Sequence, residues 1–563
     1  MRRSVPFLLS AALLLLSCAP EPDVDVVLRG GTIYDGTGDP GVVGDVAILG
    51  DSIVAVGDVG DLEGATELDV TGMAVTPGFI NMLSWATESL LVDGLGESDL
   101  RQGVTLEVMG EGDSMGPLNE TMKTDMVRFQ GDLKYDVTWT TLGEYLEHLE
   151  KQGVALNVAS YVGAATVRIH ELGYEDREPT EEELARMQEL VRQAMAEGAM
   201  GVGSSLIYAP GFYAKTPELI ALVQAAAESG GGHISHLRSE GNRLLQALDE
   251  FLEIARATGA NSEVYHLKAA GQPNWPKMDS VFLKIEEARV QGLRVTADMY
   301  TYPAGATGLD AAMPPWVQEG GYDAWAERLK DPEIRARVIQ EMRTPTDEWE
   351  NLLLAAGTPD RAILVGFKPD SLKRLTGKTL AAVAEEYGVS PEDAAVDLLI
   401  KNGDDVSVVY FMMDEENMKK QLRQPWLSFC SDGAALAARE PFTKSSTHPR
   451  AYGNFVRVLG KYVRDEQVLK MEDAVRKLSG LPAANLKLRR RGLLKPGYHA
   501  DVVVFDPATV TDHATFENPH QYATGVLHVF VNGAHTLKDG EPTGVKAGRV
   551  VRGPGWTGWR QGQ

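Results

Sequence analysis

Short apolar runs recur along the middle of the chain, and each gives way at its C-terminal end to a polar side chain. Gly231-Gly232-His233-Ile234-Ser235 leads into His236-Leu237-Arg238-Ser239-Glu240-Gly241, and Val264-Tyr265 leads into His266-Leu267-Lys268. Val295-Thr296-Ala297-Asp298-Met299-Tyr300 follows, and later Trp426–Phe429 runs into Cys430-Ser431-Asp432-Gly433. Between such runs, Glu181–Ala196 and Pro217–Glu228 space their apolar residues as helices do. Buried strands alternating with helices predict an α/β fold, a (β/α)8 barrel that assembles its site from strand ends at the C-terminal mouth.

The two ends read differently. From Asp25 to Val75, and again over Gly497–Phe505 and Val526–Asn532, short alternating strands are split by Gly and Asp turns. One small β-sandwich built from both termini is expected, residues 24–75 and 488–563, around a barrel spanning 76–487. Residues of about 309–417 break the strand–helix rhythm and are helix-rich, which predicts an insertion: a lid over the mouth or a peripheral decoration. At the start, Arg2-Arg3 precede an apolar run from Val5 to Leu16 that is short for a bilayer span. Leu15-Leu16-Ser17-Cys18 resembles a bacterial lipobox. Residues 1–17 are therefore expected to be a lipoprotein signal peptide and 18–23 a tether. Lipidated Cys18 would anchor the exported chain on the periplasmic side of the membrane, with no other membrane contact. A plain signal peptide cleaved nearby is the alternative.

Composition narrows the function. A net charge of −26 becomes −28 once residues 1–17, with two arginines and no acid, are removed. That argues against nucleic acid, and Arg489-Arg490-Arg491 reads as a short solvated turn. Beyond Cys18 only Cys430 remains, so no intrachain disulfide is available. Among eleven histidines, His236 and His266 occupy equivalent points of consecutive repeats, which marks them as candidate metal ligands. His233, three residues before His236 on the same strand, reads as structural.

Further strings run in a recognisable order. They are Thr76-Pro77-Gly78-Phe79-Ile80, Gln102-Gly103-Val104-Thr105 and Glu197-Gly198-Ala199-Met200-Gly201, then the His236 and His266 segments. Tyr300-Thr301-Tyr302-Pro303-Ala304-Gly305, Ser431-Asp432-Gly433, His448-Pro449-Arg450 and Gly480-Leu481-Pro482-Ala483-Ala484 complete the series. Together they resemble the D-aminoacylase (N-acyl-D-amino-acid deacylase) branch of the amidohydrolase superfamily over most of residues 24–545. The resemblance implies a metal-bearing barrel with a β-sandwich and an inserted lid. It also implies His236 and His266 as metal ligands, Asp432 as general acid/base, and Lys268, Tyr300 and Arg450 as holders of a substrate carboxylate.

Two departures stand out. Where that branch carries Asp-x-His-x-His, this chain has Asn81-Met82-Leu83-Ser84-Trp85, and Gly110 takes the place of the branch's cysteine ligand. A binuclear centre is therefore not expected. Glu111, preferred over Asp113, would complete a Glu/His/His set with one position open. Glu107 would point the same way from deeper in the strand, and Glu88 would lie near the mouth. Ala306 replaces a hydroxyl residue of the pocket, with Thr307 beside it. The expected function is a zinc-dependent hydrolase, one metal per chain, cleaving the amide of N-acyl (D-) amino acids or related small peptides. The alternatives are a binding lipoprotein that has lost catalysis, and a hydrolase of cyclic amides or isopeptides. Bland readings exist too: Asp432 capping a helix that begins at Ala434, and Lys268 and Arg450 as surface charges. Oligomeric state is left open.

Overall fold

The computed structural model describes residues 23–560; the expected signal peptide, the lipidation expected at Cys18 and nearly all of the expected tether lie outside the described residues. Eight parallel strands form the barrel: β1 (Phe79–Asn81), β2 (Val104–Met109), β3 (Asn157–Ser160, resuming at Val162–Gly163), β4 (Gly201–Ser205), β5 (Gly232–His236), β6 (Ser262–Val264), β7 (Val295–Met299) and β8 (Leu427–Phe429). They pair in two arcs that meet within β3. The seam between β8 and β1 is closed by Met82 N donating to Phe429 O at 3.3 Å and Asp432 N donating to Leu83 O at 2.9 Å. The barrel strands are almost wholly buried, as a parallel sheet covered by helices on its outside must be.

The helices begin and end where local chemistry directs. Glu181–Glu197 starts with a capping box between Thr180 and Glu183 and stops at Gly198, whose φ of 107° favours glycine. Thr216–Ala227 carries proline in its first turn.

Strands from both ends of the chain share one nine-stranded sheet. The join is antiparallel, Ala74–Pro77 against Val502–Phe505, with Val75 opposite Val504. Below the barrel this unit meets β3 through a buried polar network. Asp501 accepts from Asn532 N at 2.9 Å and from Asn157 Nδ2 at 3.3 Å. Asn532 donates to Asn157 Oδ1 at 2.8 Å, and Arg491 pairs with Asp501 and donates to Asn532 at 2.8 Å. The reading of residues 489–491 as a solvated turn holds for Arg489 and Arg490, which are exposed, and is corrected for Arg491, whose side chain turns in against the Asp501 carboxylate.

The insertion is rich in helices, and it also contributes two strands. Its helices surround a three-stranded antiparallel sheet, with Ser407–Tyr410 between Gly305–Gly308 and Ala362–Gly366. Val365, Val409 and Ala304 pack together there. Residues of this sheet wall the barrel mouth.

Candidate active site

His236 is the last residue of β5, and His266 lies just past β6. Side chains alternate across a strand, so His233 and His236 leave opposite faces. His233 points outward, bonded to Ser204 Oγ at 3.1 Å and stacked on Phe251, which fits its structural reading. Glu111 sits beyond β2 on a turn between Gly110 (φ 106°) and Gly112 (φ 69°). A Cβ on Gly110 would lie 2.3 Å from Tyr161 O, and one on Gly112 2.0 Å from Ser205 Oγ. Only glycine on both sides lets the turn swing Glu111 over the mouth.

The three side chains converge. Glu111, His236 and His266 are buried, and each offers a ligand atom within 4.8 Å of the others. Glu111 Oε1 is 2.8 Å from His266 Nε2. His236 Nδ1 lies 2.9 Å from Leu237 O, so that nitrogen carries the proton and Nε2 is left with its lone pair free. Beneath the rings sits Glu240, whose Oε1 is 3.1 Å from His266 Nδ1 and 2.7 Å from Lys268 Nζ. Lys268 Nζ is also 2.8 Å from His266 Nδ1. Burial and Lys268 pull the His266 pKa down, but the Glu111 and Glu240 carboxylates outweigh them and push it up to about 10. Burial alone would raise Glu111, yet His266 holds it below its ordinary range. Burial pushes His236 down.

Asp432 faces this trio from β8's end. Its Oδ2 is 2.8 Å from Arg450 Nη1, and its Oδ1 accepts from Trp85 Nε1 at 3.1 Å. Burial raises its pKa, partly offset by Arg450. Tyr300 lies between the two cations: Arg450 Cζ is 4.4 Å and Lys268 Nζ 5.6 Å from its ring centroid. Among the described residues, Arg450 Nε and Nη1 are buried without a hydrogen-bond partner, so the contact of Nη1 with Asp432 is an ion pair. Glu111, His266, Asp432, Trp85 and Arg450 line one cavity of about 520 Å³, with Tyr208, Ala306 and Thr307 in its wall. A larger cavity of about 820 Å³ opens beside helices Thr216–Ala227 and Leu244–Thr258, but none of the trio lines it. Size alone does not locate the chemistry.

The bland readings of Asp432, Lys268 and Arg450 are corrected here. Asp432 caps no helix, because the chain from Ala434 to Ala438 is not helical. Lys268 and Arg450 are buried, not surface charges. Glu107 is fully buried, with Asn81 Nδ2 donating to its Oε2 at 2.9 Å, and burial pushes it up to about 7. Glu88 is engaged by Tyr135 Oη at 2.6 Å. Asp113 lines the cavity but lies outside the trio. Sequence reading passed over Trp85, Tyr208 and Glu240. Only Glu240 left a signal, four residues after His236.

Closed barrel, paired strand ends and mouth geometry together define an amidohydrolase, and the chain belongs to the amidohydrolase family, whose sequence profile matches residues 66–537. It is 34% identical to a D-aminoacylase of Alcaligenes xylosoxydans xylosoxydans, over 95% of this chain and 99% of that protein. Among solved structures it is similar to a D-aminoacylase described by its binuclear metal centre, with one-metal activation and second-metal attenuation. That similarity has 33% identity and a TM-score of 0.78, over 94% of this chain and 100% of that one. It is also similar to the N-acyl-D-glutamate deacylase of Bordetella bronchiseptica complexed with zinc and a phosphonate inhibitor. Here identity is 30% and the TM-score 0.78, over 94% and 99% of the two chains. The chain is thus a metal-dependent amidohydrolase resembling N-acyl-D-amino-acid deacylases.

Proposed function

We propose that this chain hydrolyses the amide bond of N-acyl amino acids, of D configuration by preference, with one zinc held by Glu111, His236 and His266. The observation that carries the reading is the meeting of those three buried donors within 4.8 Å of one another in a site shared with Asp432 and Arg450. The donor set suits the metal: two imidazoles and a carboxylate leave one position open on zinc. Glu240 is placed to accept from His266 Nδ1 and orient that ring, as carboxylates behind zinc-bound histidines do. The bound metal would supply Lewis acidity toward the amide carbonyl and toward water.

The chain's own residues do the rest. Asp432 takes a proton from water and returns it to the leaving nitrogen. Arg450 offers its unpartnered Nε to the substrate carboxylate, with Lys268 and Tyr300 beside it. Holding that carboxylate fixes the scissile amide relative to Asp432, which is where binding becomes alignment. The single-metal reading is supported by the one-metal activation named for the similar D-aminoacylase and by the lack of histidine in Asn81–Trp85. We also propose export, with a lipid on Cys18; labelling with a fatty-acid analogue, lost in Cys18→Ala, tests it.

The decisive experiment is metal analysis of the purified chain with a panel of D- and L-N-acyl amino acids. About one zinc per chain and turnover favouring D substrates are expected. Metal-free protein that is inert across the panel would sink the reading and leave a binding protein in its place.

A further inference from the structure

Trp85 stands four residues past β1, across the barrel seam from Asp432. Its backbone N donates to Gly433 O at 2.9 Å, and its neighbour Ser84 bridges to Gly433. The base of the side chain is therefore tied to the residue after Asp432. Its indole Nε1 then reaches Asp432 Oδ1 at 3.1 Å as a hydrogen-bond donor, while Arg450 Nη1 stands 2.8 Å from Oδ2 as an ion-pair partner without hydrogen-bond alignment. Asp432 itself has φ 48°, a conformation that a non-glycine residue keeps only when its surroundings hold it. Trp85 remains 38% exposed and faces the cavity. Burial of the ring does not account for its placement.

We propose that Trp85 is a positioning residue for proton transfer: its indole N–H and Arg450 clamp opposite oxygens of Asp432, leaving one set of lone pairs to meet the attacking water. This rests on the reading of Asp432 as the group that moves the proton. An indole suits the task because it is rigid, with two side-chain torsions, and is a donor only, so it cannot compete for the proton. A hydrogen bond to the carboxylate also favours its charged form, keeping a base available inside a buried site.

The test compares the zinc-loaded full chain with Trp85→Phe, which keeps an aromatic wall and deletes the donor. With the best N-acyl amino acid of the panel, kcat is expected to fall about tenfold or more, with KM within about twofold and zinc content unchanged. The acidic limb of kcat/KM is expected to move to higher pH, because the carboxylate has lost a donor to its charged form. Trp85→Leu supplies a second donorless chain should the phenylalanine variant not fold. Carbon-13 titration of the Asp432 carboxyl in the metal-free proteins is the independent arm, with a higher pKa expected in the variant. Unchanged kcat, acidic limb and carboxyl titration would overturn the proposal. A wild-type chain inert on every substrate would refute the functional reading instead, and the carboxyl titration would still decide whether Trp85 clamps Asp432.

Discussion

The two ends of the barrel both bury charged and amide side chains, yet they do opposite things with them. At the lower end Asp501, Arg491, Asn532 and Asn157 bond to one another in a closed set. At the mouth, Arg450 Nε and Nη1 are buried without hydrogen-bond partners among the described residues. There, His266 and Asp432 hold φ angles of 31° and 48°. Backbone strain of that kind costs on the order of 1–3 kcal/mol per residue. The lower network is complete in itself and joins the barrel to the terminal β unit. The mouth is incomplete in itself, and what it lacks is what a metal and a carboxylate would supply. Barrel enzymes divide labour this way, with stability at the lower face and chemistry at the upper.

That contrast can be broken from either end. The largest effect is expected at the donor trio: His236→Ala or His266→Ala should lose bound zinc and bring turnover to background, read by metal analysis and assay. Retained zinc with turnover would remove that residue from the site. Asp432→Asn should keep zinc and lower kcat about 10²–10⁴-fold; wild-type kcat in that variant would leave proton transfer without its residue. At the lower end, Asp501→Ala strands Arg491 in a buried position, at a cost of about 3–5 kcal/mol of stability. Activity per folded molecule should stay within about twofold of wild type, and a selective loss of activity there would erase the division between the faces.

The smallest effect is a pH dependence. In the metal-free protein the His266 pKa is raised from 6.5 to about 10. Its contribution to stability is therefore fully present below about pH 6.5 and is lost as pH rises through about 10. Metal-free Tm should fall across that window. The zinc-loaded protein, whose His266 Nε2 has already given up its proton to bind, should not show this component. Parallel Tm profiles with and without zinc would refute it.

Much of this was legible in the chain. Apolar runs ending in His236, His266 and Asp432 marked three barrel strands and their mouth-facing residues, because a strand buried on both faces must be hydrophobic until it emerges. The glycines around Glu111 marked a turn. Alternating strands at both ends marked the small β unit. What the sequence could not supply was every relation across the barrel. The bond from Trp85 to Asp432 spans 347 positions and that from Asn81 to Ser431 350, distances over which no local periodicity carries information. Nor could it show Glu240 lying under both imidazoles and Lys268, Arg491 turned inward to Asp501, or strands Ala362–Gly366 and Ser407–Tyr410 pairing inside the insertion. Local pattern sets which side chains can emerge at the mouth. Only closure of the barrel decides which of them meet, because that depends on the register of strands far apart in the chain.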